Sequence, residues 1–119
     1  MRALLQRVTE AAVKSDRWPH ERAIGSGLVV FLGVTDLDTL DQARELAIKT
    51  AHLRIFSNAQ GKFDHSVLDV KKDCLVVSQF TLYGDASRGR RPDFSKAASP
   101  QKAKVLYEEF VDALKKTGN

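Results

Sequence analysis

Residues Gly27 to Gly33, Gly-Leu-Val-Val-Phe-Leu-Gly, are apolar at successive positions rather than at alternate ones. Successive side chains of a strand point to opposite faces, so a strand without alternation is one covered on both sides. The segment therefore predicts a central strand in an α/β or α+β domain with a mixed sheet. Its surroundings agree. Arg2 to Val8 reads as an earlier strand, and the polar stretch Lys14 to Gly25, with Asp16, Pro19 and Gly25 as turn formers, reads as an exposed hairpin with Trp18 on its surface. Thr39-Leu40-Asp41-Gln42 matches a capping box, and Ala43, Leu46, Ala47 and Thr50 then recur at helical spacing, which predicts a helix over 39–52. Arg54-Ile55-Phe56 and Ser66 to Val70 read as short strands about the turn Asn58-Ala59-Gln60-Gly61, and a further strand begins at Asp73. Gly84 to Ala98 reads as a long loop. Ser99 as N-cap, Pro100 at the first helical position and Ala103, Leu106, Tyr107, Phe110 and Leu114 on one face define a last helix, closed by Lys115, Lys116 and Gly118.

A chain of 119 residues is expected to form one domain, 1–119, with a single core that oligomerisation would help to stabilise. No repeat, low-complexity tract or linker divides it. No apolar run approaches the ~18 residues needed to span a bilayer. Met-Arg-Ala-Leu-Leu-Gln-Arg-Val at the start reads as a strand rather than a signal peptide, so a cytosolic protein is expected. The single cysteine, Cys74, cannot form an internal disulfide and is expected to be a buried, inert thiol. A net charge of +4 suits an anionic partner, but where the charge lies matters more than its sum.

Few patterns carry chemistry. His20, His52 and His65 fall in the hairpin, on the helix and beside a turn, without a common site. There is no His-Glu-x-x-His, Cys-x-x-Cys or carboxylate cluster, and the expectation is a protein without metal or cofactor. Asp64 and Asp69 either help a site or, as the default, are solvated or turn-stabilising. The exception is Cys74 to Tyr83, an apolar strand interrupted by Ser78, Gln79 and Thr81. A buried polar group without a partner costs roughly 1–3 kcal/mol, so these three either bond within the sheet or are held open for a ligand. Alternation places Gln79 and Thr81 on one face, lining one pocket, with Ser78, Phe80 and Leu82 on the other. Just downstream, Arg88, Arg90, Arg91 and Lys96 crowd into nine residues with Asp93 among them, either a solvated loop or a phosphate-binding one. Arg7 either points inward from the first strand or is an edge charge.

Ser-Gln-Phe-Thr-Leu, followed by Tyr-Gly-Asp and Arg-Gly-Arg-Arg-Pro-Asp-Phe, resembles the D-aminoacyl-tRNA deacylases (also called D-tyrosyl-tRNA deacylases), whose signature is Ser-Gln-x-Thr-Leu. Met1 to Val8, Gly27 to Thr35, Leu53 to Phe56, Ser66 to Val70 and Ser99 to Gly118 are similar to the same family in the same order, whereas Arg17-Trp18-Pro19-His20 stands where members carry a short Gly-containing turn. The resemblance implies a mixed sheet curled toward a barrel, flanked by two helices and assembled as a homodimer. It implies hydrolysis of the ester of D-aminoacyl-tRNA, a cytoplasmic proofreading step in translation. Ser78, Gln79, Phe80 and Thr81 would form the site, with main-chain N–H groups around Phe80 and Thr81 facing the carbonyl oxygen. Thr81 is the one candidate side-chain nucleophile, with no base beside it in sequence, and a substrate 2′-hydroxyl assisting attack is its rival. Arg7 would be the family's site arginine, and Arg88, Arg90 and Arg91 would meet the acceptor end of tRNA. Family members continue past the last helix into strands with an Asn-x-Gly-Pro-x-Thr motif, whose Gly-Pro pair reaches the partner's pocket and excludes L-amino acids. Here the prolines are Pro19, Pro92 and Pro100, none after a glycine, so a pocket without that filter is expected. Two other readings stay open: a non-catalytic RNA-binding or dimerisation remnant, and a small-molecule esterase.

Overall fold

The computed structural model describes residues 1–16 and 19–119, so the predicted surface role of Trp18 lies outside the described residues. In chain order the elements are β1 (Arg2–Val8), β2 (Ala11–Val13), β3 (Arg22–Ile24), β4 (Gly27–Gly33), α1 (Leu40–His52), β5 (Phe56–Ser57), β6 (Phe63–His65), β7 (Asp73–Ser78), a 3-10 turn (Phe80–Tyr83) and α2 (Pro100–Lys116). The main sheet has the order β1-β4-β7, with β1 antiparallel and β7 parallel to the central β4, while β2-β3 and β5-β6 form separate antiparallel ribbons. The mixed α/β domain with two helices is as expected, and the described strands form three sheets without a closed barrel.

Leu28, Val30 and Leu32 of β4 are fully buried and share their core with Ala43, Ala47 and Ala51 of α1 and Leu106, Phe110 and Leu114 of α2. Each buried aliphatic or aromatic side chain of this size contributes roughly 1.5–3 kcal/mol, which makes this interface the main source of stability. The opposite face is only partly covered. Val29 and Leu75 are buried there, but Leu4, whose ladder partner is Phe31, is 56% exposed. β4 itself is buried at every position but the half-buried Phe31, so its continuous apolar run marks a strand covered on both faces, as expected, and the exposure falls on its neighbour β1.

Thr39 and Gln42 form the expected capping box, each side chain accepting from the other's backbone N–H. Ser99 caps α2, accepting from Lys102 N–H, and Gly118 leaves the helix at a φ of 105° that disfavours a side chain. The predicted strand at Ser66 to Val70 is instead a helical turn. Ser66 N–H donates to the Asp69 carboxylate, Asp69 N–H donates to the Ser66 hydroxyl, and Val70 N–H reaches back to the Ser66 carbonyl. These reciprocal local bonds compete with sheet pairing and win. Asp38, also buried, accepts from the Met1 amine at 2.7 Å and from Thr35 N–H at 2.7 Å. Burial alone would raise its carboxyl, but those bonds outweigh it and hold the group below its ordinary value.

Candidate active site

The strand carrying Cys74 to Tyr83 does not run its whole length as a strand. Gln79 N–H donates to the Leu32 carbonyl at 2.8 Å as a last link to β4, and the backbone then tightens into the 3-10 turn, with Leu82 N–H on Gln79 carbonyl and Gly84 N–H on Thr81 carbonyl. The simple alternation predicted for residues 78–82 therefore stops at Ser78. Gln79 and Thr81 are still brought together, because a turn sets them side by side: the Gln79 amide donates to the Thr81 hydroxyl. Ser78 and Phe80 face another way, onto a cavity of about 990 Å3 that opens between β7, α2 and the segment around Phe94. Gln79 and Thr81 do not line that cavity. Ser78, Phe80 and Thr81 are exposed, so the polar interruption is open to a ligand.

Two features of the turn suit an anion. A 3-10 turn leaves its leading amides without intrahelical acceptors, and here these belong to Phe80 and Thr81. Its other side is fixed to the sheet. Arg2 donates to the Leu82 carbonyl at 2.9 Å and lies 4.5 Å from the centroid of the Tyr83 ring, and Gly33, opposite Arg2 on the ladder, leaves room for both Leu82 and Tyr83. Arg2 and Gly33 were not singled out from the sequence. The pairing register that makes them neighbours is not visible there, although a glycine closing an apolar strand is the kind of signal that marks a close approach.

The remaining candidates are dispersed. Arg7 lies opposite Leu28, whereas Ser78 lies opposite Leu32, four residues and about 13 Å farther along β4. Arg7 instead stacks on Phe63 at 5.0 Å and donates to the Ser57 hydroxyl at 3.4 Å, so one chain does not bring it to the 3-10 turn. Arg88, Arg90 and Arg91 are exposed on a loop whose ends are tied: Asp85 and Asp93 exchange backbone hydrogen bonds of 2.7 and 2.8 Å. The Ser87 hydroxyl and N–H hold the Asp85 carboxyl below its ordinary value. Asp64 pairs with Arg54 and Asp69 caps Ser66, which absorbs both in turns. Among the described residues no three metal-ligating side chains cluster, and no histidine or carboxylate hydrogen-bonds to Thr81.

Cys74, expected to be buried, is half-buried on β7 facing the helices, and that burial together with the Asp73 charge pushes its thiol up to about 11. Ellman's reagent at pH 8 is accordingly expected to react slowly with the native chain and rapidly after denaturation. The folded-state value lies above the ordinary 9.0, so this group's contribution to stability is complete below pH 9 and is lost as pH rises toward 11. Rapid native labelling would contradict the burial.

The family model described as D-Tyr-tRNA(Tyr) deacylase matches residues 4–119. A D-aminoacyl-tRNA deacylase of Bacillus pumilus (strain SAFR-032) is 52% identical over 118 residues, covering 99% of this chain and 80% of that one. A D-aminoacyl-tRNA deacylase of Aquifex aeolicus (strain VF5) is 49% identical over 121 residues, covering 99% and 79%. A solved structure named c-Myc DNA Unwinding Element Binding Protein superposes with a TM-score of 0.87 at 37% identity, covering 98% of this chain and 78% of that one.

Proposed function

The chain belongs to the D-Tyr-tRNA(Tyr) deacylase family, and from that premise we propose that it hydrolyses the ester of D-aminoacyl-tRNA, releasing the D-amino acid and tRNA. Within the molecule, the observation that carries the reading is the segment Ser78 to Thr81, exposed at Ser78, Phe80 and Thr81, where β7 ends in a turn with two open amides beside a cavity. An aminoacyl ester is labile enough that placing the carbonyl and stabilising its developing charge supply most of what is needed. The carbonyl oxygen takes the amides of Phe80 and Thr81. Water adds to the carbonyl carbon, the bond to the ribose 3′-oxygen breaks, and that oxygen leaves with a proton that the neighbouring 2′-hydroxyl relays. Thr81 then serves as a hydrogen-bonding group rather than a nucleophile, since its oxygen accepts from Gln79 and no base adjoins it among the described residues. Ser78 shapes the cavity beside Phe80, and the arginine loop meets phosphates near the acceptor end.

The homodimer and the barrel-like curl belong to the same proposal. What supports them is the partly bare sheet face, where Leu4 is 56% exposed, and the outer edge of β1, which has no strand beside it among the described residues. Arg7, remote from the turn of its own chain, would join the site through such an assembly. Action in the cytoplasm fits a tRNA substrate, and no helix is long and apolar enough to cross a membrane among the described residues.

Turnover of D-aminoacyl-tRNA tests the site. Thr81→Val and Gln79→Ala are each expected to slow deacylation about tenfold, removing the hydroxyl and the amide that fixes it. Wild-type rates in both variants would move the chemistry elsewhere, and a wild-type chain that binds the charged tRNA without cleaving it would be the non-catalytic remnant.

A further inference from the structure

Phe94 lies outside the signature, yet the fold aims it at the signature. Past the tie between Asp85 and Asp93, the Asp93 carboxylate accepts from Ser95 N–H at 2.8 Å and from the Ser95 hydroxyl at 3.1 Å, and Ala98 N–H reaches the Val34 carbonyl at 2.8 Å. Held from both sides, the Phe94 ring lies over Gly84 and meets Phe80 edge-on, with centroids 5.3 Å apart and planes at 70°. A Cβ on Gly84 would come within 2.8 Å of one ring carbon of Phe94. Gly84 itself has φ −64° and ψ 128°, a conformation open to any residue, so its missing side chain leaves room first for the ring and next for the Thr81 carbonyl oxygen, which a Cβ would approach to 3.1 Å. Phe80, 58% exposed, gains from Phe94 the one ring contact recorded for it among the described residues.

We infer that Phe94 is a positioning residue for the deacylation site: its edge-on contact sets the Phe80 side chain, and through it the aim of the Phe80 and Thr81 amides, while Gly84 keeps the space the ring needs. The inference rests on the deacylase reading and adds a residue to it. It also places the arginine loop and the amides on one continuous piece of chain, since Phe94 is where that loop returns.

The experiment compares wild type, Phe94→Ala, Phe94→Tyr, Gly84→Ala and the Gly84→Ala/Phe94→Ala double variant on D-aminoacyl-tRNA, with amide NMR of Phe80 and Thr81 alongside. Phe94→Ala is expected to lower kcat about three- to tenfold with KM within about twofold, as befits an aromatic contact that acts through Phe80. Phe94→Tyr, which keeps the ring edge, is expected to restore kcat to within about twofold of wild type. Gly84→Ala is expected to cost about as much as Phe94→Ala in the wild-type chain and much less once Phe94 is gone, the mark of two residues sharing one space. The Phe80 and Thr81 amide resonances are expected to move in Phe94→Ala and return in Phe94→Tyr. Wild-type kcat in Phe94→Ala, or an equal Gly84→Ala cost in both backgrounds, overturns the inference. A wild-type chain that leaves the ester intact overturns the deacylase reading instead, and the NMR then decides the contact alone: unmoved amides in Phe94→Ala refute it.

Discussion

Replacing Arg88, Arg90 and Arg91 together with alanine is expected to weaken tRNA binding about a hundredfold at about 0.1 M salt and to flatten the dependence of log affinity on log salt by about two units of slope. All three side chains are exposed on the loop closed by Asp85 and Asp93, so their charge is available to a polyanion. For single-stranded nucleic acid each neutralised phosphate releases about 0.7 of a counterion, and three contacts together give the slope and, at that salt concentration, the loss in affinity. The tie is made by backbone atoms and survives the substitutions, so the thermal midpoint is expected to stay put, as is the rate at saturating tRNA. Filter binding over a salt series reads the slope directly. An unaltered slope would leave these residues as a solvated loop, and the contact with the acceptor end would have to be sought elsewhere.

Gly27→Ala is expected to destabilise the fold by about 3 kcal/mol or more, the upper end of what overpacking does. A Cβ there would stand 1.9 Å from the Asp73 carbonyl oxygen and 2.9 Å from its carbon. Both are backbone atoms and cannot rotate away. Relief requires β4 and β7 to part where their parallel ladder begins, and β4 is also paired to β1 at the same residue. Gly25→Ala is the control, since nothing lies within 4 Å of a Cβ at that position, and it is expected to change stability by less than about 0.5 kcal/mol. Urea midpoints compare the two. Equal midpoints would mean that the close approach at Gly27 is easily relaxed.

The elements that were legible in the sequence were those specified by local chemistry. Thr39 with Gln42, and Ser99 with Pro100, mark helix starts by the hydrogen bonds that their own side chains make, and both helices begin where those residues say. The apolar run in β4 marked the centre of the sheet for a similar reason. Ser66 to Val70 misled because Ser, Leu and Val also suit a strand, and only the Ser66–Asp69 exchange decides for a turn. At the site, the residue types in Ser-Gln-Phe-Thr identified the segment, and alternation grouped Gln79 with Thr81 and Ser78 with Phe80, but once the strand had become a 3-10 turn the cavity lay on the Ser78 and Phe80 side and not against Gln79 and Thr81. Phe94, Arg2 and Gly33 reach the turn through tertiary register, across 14 to 80 residues of chain, and although Phe94 ends the quoted Arg-Gly-Arg-Arg-Pro-Asp-Phe and Gly33 closes an apolar strand, neither pattern names the turn as what they meet.

The mutual pairing of Asp85 and Asp93 bears on how such a chain diversifies. A loop sealed at its own base transmits little of its length to the rest of the domain, and doubling that length adds only about 0.6 kcal/mol of closure cost. With the roles proposed above, insertions and charge changes between the two aspartates would accumulate with the ester chemistry intact, and grip on nucleic acid would evolve on a separate axis from turnover.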